Sequence, residues 1–264
     1  MKKFILSLAI VSMSAYSFAQ QITLEGIYGG KYRETSLYGV NSLNDGENYT
    51  ILTNAGLVKR SYESTLKKGQ TSDIVVVKGQ FQGYEFSADE RYVLLQTDYN
   101  QIYRHSFTAK YEVFDTKTQA KTAIFGGKEI QEPLFSPDAS KVAFAFENNL
   151  YIQDLKTNQV TQVTTDGKKN NIINGINDWV YEEEFGFVRN FDWNADGTSL
   201  AYVRFDESKV KEINIPIYYN NLYPEELRYK YPKAGQDNSV VSLHVFETKG
   251  KSTTKVDLNH VQNY

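Results

Sequence analysis

An all-β chain assembled from repeated sheet units, part of a β-propeller, is the fold class this sequence predicts, and three observations predict it. Aromatic residues make up 14%, with 20 Tyr and 15 Phe, and such rings pack well on pleated sheet surfaces. A turn motif recurs as SLNDGENYTIL (42–52), FSADERYVLL (86–95), FSPDASKVAF (135–144) and WNADGTSLAY (193–202). Between the copies lie several short alternating runs, and no long helical pattern interrupts them.

The N-terminus reads as a processing signal. Lys2 and Lys3 give a positive start, Phe4 to Val11 an apolar run, and Ser17-Phe18-Ala19 a small-x-small cleavage site. Residues 1–19 are therefore expected to be removed on export, leaving a mature domain over 20–264. The run is too short to span a bilayer, so no membrane span is expected and the destination is a periplasm or the exterior. The chain has no cysteine. That excludes disulfides, thiol catalysis, thiolate metal sites and a lipid-anchor cysteine.

Each repeat then carries an aromatic, a small polar residue, an Asp and an apolar run. The shared aspartates are Asp45, Asp89, Asp138 and Asp196. An Asp at such a place caps a tight turn that enters a strand. Further strands follow, as YEVF (111–114), LYIQ (150–153) and SLHVF (242–246). Several short strands per period of roughly 40–50 residues suit propeller blades, about four of them, with a stacked sandwich as the plainer alternative.

Two segments break the period. Residues 168–187 contain DWVYEEEFGF (178–187) and stand ahead of the fourth repeat; residues 207–238 include IPIYYNNLYPEELRYKYPKAG. The second is too long and too aromatic for a plain hairpin loop. Its Tyr218, Tyr219, Tyr223, Tyr229 and Tyr231 suggest packing against something, such as another subunit.

Composition narrows the function. The net charge is -3, with 41% hydrophobic and 23% charged residues, which gives no basic face for nucleic acid. No G-x-S-x-G, H-E-x-x-H or GxxxxGK[ST] occurs, and the three histidines, His105, His244 and His260, form no recognisable triad with a serine. No cofactor is expected. What remains is an acidic run, Glu182 to Glu184, and Arg104 in RHSFTAKY (104–111). Alternation would place Arg104, Ser106 and Thr108 on one strand face. The glutamates fit either a solvated turn capped by Asp178 or a cationic partner. A primary ammonium, with three N–H donors and no acceptor, wants two or three oxygens around it. A metal ion is the rival, but three consecutive Glu side chains diverge.

DWVYEEE (178–184), RHSFTAKYEVFD (104–115), and YPKAG (231–235) followed by Asn238 together resemble the dipeptidyl peptidase IV family of the prolyl oligopeptidase group. The likeness runs from about Thr23 to the end. It implies part of an eight-bladed propeller that caps an α/β-hydrolase domain, in serine peptidases that release Xaa-Pro or Xaa-Ala dipeptides from peptide N-termini. It implies that Glu183 and Glu184 hold the substrate's α-ammonium, that Arg104 bonds a substrate carbonyl oxygen, and that 207–238 is a dimerisation arm. The hydrolase domain and its catalytic residues lie outside these residues. The chain is thus expected to be a fragment, inactive alone. A non-catalytic propeller module binding peptides or proteins is the alternative, as is a relative with altered substrate choice.

Overall fold

The computed structural model describes residues 22–34, 39–68 and 73–258. The signal-peptide reading and His260 fall outside them. Ahead of Gly39, residues 22–34 hold the short helix Leu24–Tyr28, N-capped by Thr23. From Gly39 onward the chain forms a separate compact unit.

That unit consists of successive antiparallel sheets. The first sheet is β1 (Asn41–Ser42), β2 (Asn48–Thr53), β3 (Gly56–Ser61) and β4 (Ile74–Lys78). The second is β5 (Gly83–Phe86), β6 (Tyr92–Gln101), β7 (Phe107–Asp115) and β8 (Lys121–Ala123). The third is β9 (Gln131–Phe135), β10 (Lys141–Phe146), β11 (Asn149–Asp154) and β12 (Val160–Gln162). Each is a simple meander in chain order.

The fourth sheet is more elaborate. Its strands are β13 (Ile172–Asn174), β14 (Phe191–Trp193), β15 (Ser199–Asp206), β18 (Val240–Glu247) and β19 (Ser252–Lys255); between β15 and β18 the hairpin β16 (Glu212–Ile217) and β17 (Glu225–Lys230) projects as a separate two-stranded arm. Both β13 and β14 pair with β15, at Ile172↔Asp206 and at Phe191↔Tyr202. They are two halves of one edge strand, and the sequence reading of 168–187 as an insertion wholly ahead of the repeat is corrected accordingly.

The alternation in the sequence explains how the sheets stack. In β10, Val142 and Phe144 face a core shared with Leu94, Tyr111 and Val113 of the second sheet. The intervening Ala143 and Ala145 face a core shared with Leu200, Tyr202 and Phe246 of the fourth. In β6, Leu94 turns to the third sheet while Val93 and Leu95 turn to Leu57 and Val77 of the first. Each middle sheet is thus covered on both faces by its sequence neighbours, as propeller blades are. Full burial of one such side chain, Phe144 for example, contributes about 1.5–3 kcal/mol.

The repeated aspartates do what the sequence implies. Each sits in the hairpin between the first and second strands of its sheet. Asp45 Oδ1 accepts the N–H groups of Glu47 and Asn48, Asp138 Oδ1 that of Ser140, and Asp196 Oδ1 that of Thr198, all at 2.9–3.1 Å. Asp89 accepts from Ser87 and Arg91. Hydrogen bonds to the ionised form hold the Asp45 carboxyl down at about 2. The next residue in every copy, Gly46, Glu90, Ala139 or Gly197, takes a positive φ.

Candidate functional site

The stretch 178–187 leaves and re-enters the sheet through a pinched neck. Asn177 N–H donates to Val188 O at 3.0 Å, Asn190 N–H to Gly175 O at 2.8 Å, and Ile176 bridges Arg189. Between the two sides lies a seven-residue helix, Trp179–Phe185. Asp178 is its N-cap and accepts the Tyr181 N–H at 2.9 Å. Gly186 ends it at φ 71, a left-handed C-cap where a Cβ is costly.

The three glutamates diverge on this helix. Glu182 is buried, and its Oε1 accepts the N–H groups of His105 and Ser106 at 2.8 Å each. Glu183 is half-buried and exposed Glu184 points to solvent. Arg104 Nη2 lies 2.5 Å from Glu183 Oε1, with the Arg side chain 70% exposed. Most of its five donors are thus left over. Phe185 and Phe187 are exposed as well, with ring centroids 6.4 Å apart.

Arg104 is not on a strand, contrary to the alternation expected from sequence. Strand β7 begins only at Phe107. Ahead of it, Ile102 N–H donates to Ser106 O at 2.8 Å. The next amides, of His105 and Ser106, are taken by Glu182 instead of a sheet partner. Residues 102–106 therefore form a tight loop that presents Arg104 at its tip.

The arm's return strand supports the helix from behind. Trp179 packs against Tyr229 and Tyr231 at centroid distances of 5.4 and 4.9 Å, and Tyr103 against Tyr229 at 5.9 Å. Ser239 Oγ donates to Asp178 Oδ2. The five arm tyrosines thus divide: Tyr229 and Tyr231 pack within the chain, while Tyr218, Tyr219 and Tyr223 are exposed.

A cavity of about 510 Å³ opens behind the helix, walled by Tyr103, Asn177, Asp178, Trp179, Glu182 and Glu207 among others. Arg104, Glu183 and Glu184 are not in its walls. Burial, with the Asp178 charge opposite, pushes the Glu207 carboxyl up to about 7. Burial and the charges of Glu207, Glu182 and Asp178 push the Tyr103 phenol up to about 12. Among the described residues no group of three or more His, Asp or Glu is placed to hold a metal ion.

Sequence reasoning singled out Glu183, Glu184 and Arg104, and the fold brings Glu183 and Arg104, distant in the chain, into contact, with Glu184 following Glu183 on the helix. It missed the role of Glu182. The signal was present, because Glu182 stands three residues after Trp179 and helical spacing puts both on one side. Glu207 and Tyr103 carried no local signal.

Residues 87–263 match the family model of the dipeptidyl peptidase IV (DPP IV) N-terminal region. The chain belongs to this family. A probable dipeptidyl-aminopeptidase B of Talaromyces stipitatus is 32% identical over 93% of this chain and 31% of its own length. The prolyl endopeptidase FAP of Mus musculus is 34% identical over 76% of this chain and 24% of its own. In structure, the chain is similar to the crystal structure of Porphyromonas gingivalis dipeptidyl peptidase 4. The TM-score is 0.80 and the identity 38%, over 91% of this chain and 35% of that one. The chain therefore spans about a quarter to a third of the length of these relatives, and its sheets are those of the family's N-terminal propeller. No described helix is long and apolar enough to cross a membrane.

Proposed function

We propose that these residues are the substrate-anchoring propeller portion of an exported serine exopeptidase that releases Xaa-Pro and Xaa-Ala dipeptides from peptide N-termini. The observation that carries the reading is the placement of two carboxylates and one guanidinium, Glu183, Glu184 and Arg104, on a projecting helix and its facing loop. Together they carry one net negative charge, which an α-ammonium neutralises. Glu183 and Glu184 supply the oxygens its three N–H donors need, and the free donors of Arg104 hold a substrate carbonyl oxygen. An ammonium fixed there measures the substrate: only the bond two residues along reaches the nucleophile of the hydrolase domain.

Two further parts belong to this reading. Residues 1–19 act as a signal peptide that sends the protein to the periplasm or exterior. The arm, with exposed Tyr218, Tyr219, Leu222 and Tyr223 at its tip, joins two copies as a homodimer through residues 207–238.

The complete protein tests the anchor directly. Cleavage of a Gly-Pro chromogenic amide should fall roughly 30-fold or more when its amine is acetylated. A charge-assisted hydrogen bond contributes roughly 1.5–3 kcal/mol, and each 1.4 kcal/mol is about tenfold. Equal cleavage of free and acetylated substrate would contradict the proposal.

A further inference from the structure

Glu182 is adjacent to the proposed ammonium anchor in sequence yet faces the opposite way. It is 2% exposed, and both amide N–H groups that follow Arg104 in the chain donate to one of its oxygens at 2.8 Å. The loop it grips is shaped to offer those donors. Ser106 is buried, and its carbonyl accepts the N–H groups of Ile102 and Tyr103 at 2.8 and 3.3 Å, which folds 102–106 back on itself. Gln101 Nε2 donates to Tyr103 O at 2.8 Å and closes the turn from the other side.

The helix belongs to the fourth sheet and the loop to the second, so their relative position is a tertiary matter. The Arg104–Glu183 pair joins them too, but its arginine is 70% exposed. Exposed pairs contribute little and are screened by salt. A buried carboxylate behaves differently. It must have its donors, and charge-assisted bonds to backbone amides are short and directional. The side chain best able to fix where Arg104 stands is therefore Glu182.

We propose that Glu182 is a positioning residue for substrate binding. Its carboxylate clasps the His105 and Ser106 amides and so sets Arg104 at the right distance from Glu183 and Glu184. The proposal rests on the reading of those three residues as the substrate anchor. It assigns the three consecutive glutamates two different jobs: one faces inward to build the site, two face outward to use it.

The experiment uses the complete protein with Glu182→Gln, which keeps the shape and loses the charge. Glu182→Asp, which keeps the charge and shortens the reach, is the second variant should the first not fold. Hydrogen exchange should show the His105 and Ser106 amides opening at least about tenfold faster, with the β10 amides unchanged. With a Gly-Pro chromogenic amide, kcat/KM should fall at least about tenfold in an otherwise wild-type protein, but less than about twofold in an Arg104→Ala background, because coupled residues are not additive. The same loss in both backgrounds, or unchanged exchange at His105 and Ser106, would overturn the positioning role. Wild-type efficiency for Arg104→Ala alone would instead overturn the anchor reading, and the proposal with it.

Discussion

Glu207 directly follows the fourth sheet's long strand, β15, and faces Asp178 and Tyr103 across the cavity, with Lys230 offsetting part of the charge. Burial raises its pKa from the ordinary carboxyl range near 4.3 to about 7. A raised acid pKa means that the folded state holds the proton more tightly than the unfolded one. The stabilisation is full below about pH 4.3 and is lost as pH rises through about 7. Glu207→Gln, which resembles the protonated form, should remove this dependence. Between pH 5 and pH 8 the wild-type unfolding free energy, read from denaturant titrations, should fall more than that of the variant, by an amount on the order of 1 kcal/mol. Equal slopes would contradict the assignment. At this scale, legibility follows locality. The turn aspartates were readable because Asp45 or Asp138 and its partners lie within three residues of each other. The partners of Glu182 stand 76 and 77 residues away, and nothing in EEE says which of three carboxylates will be buried.

Among the elements, the strands were legible and the places where they are interrupted were not. The apolar run that closes FSPDASKVAF (135–144) gave β10, and its burial on both faces came only with the structure. The division of one edge strand into β13 and β14 was hidden, because three residues such as Ile172–Asn174 carry too little pattern to register. RHSFTAKY likewise read as strand throughout, since the loop at its start is dictated by a distant carboxylate. The arm was visible as an anomaly of length and tyrosine content, and the structure explains two of its tyrosines by Trp179. Its exposed tip carries the remaining prediction. Removing 207–238 from the complete protein should shift its sedimentation from dimer to monomer. It should also red-shift the emission of Trp179, which loses the cover of Tyr229 and Tyr231. A dimer of unchanged sedimentation would place the contact elsewhere.

For the molecule as a whole, stacked sheets follow from a simple rule: central strands such as β6 and β10 are apolar on both faces and must be covered twice. That rule orders the four sheets in sequence and brings the loop before β7 near the helix between β13 and β14. Repeat and alternation made this much legible. The charge arrangement at the helix is what the account turns on, and one measurement tests it most directly. In the complete protein, Glu183→Gln and Glu184→Gln should each lower kcat/KM for a Gly-Pro chromogenic amide by at least about tenfold, since a charge-assisted hydrogen bond contributes roughly 1.5–3 kcal/mol. Wild-type efficiency in both variants would contradict the anchor and leave these glutamates as a solvated turn.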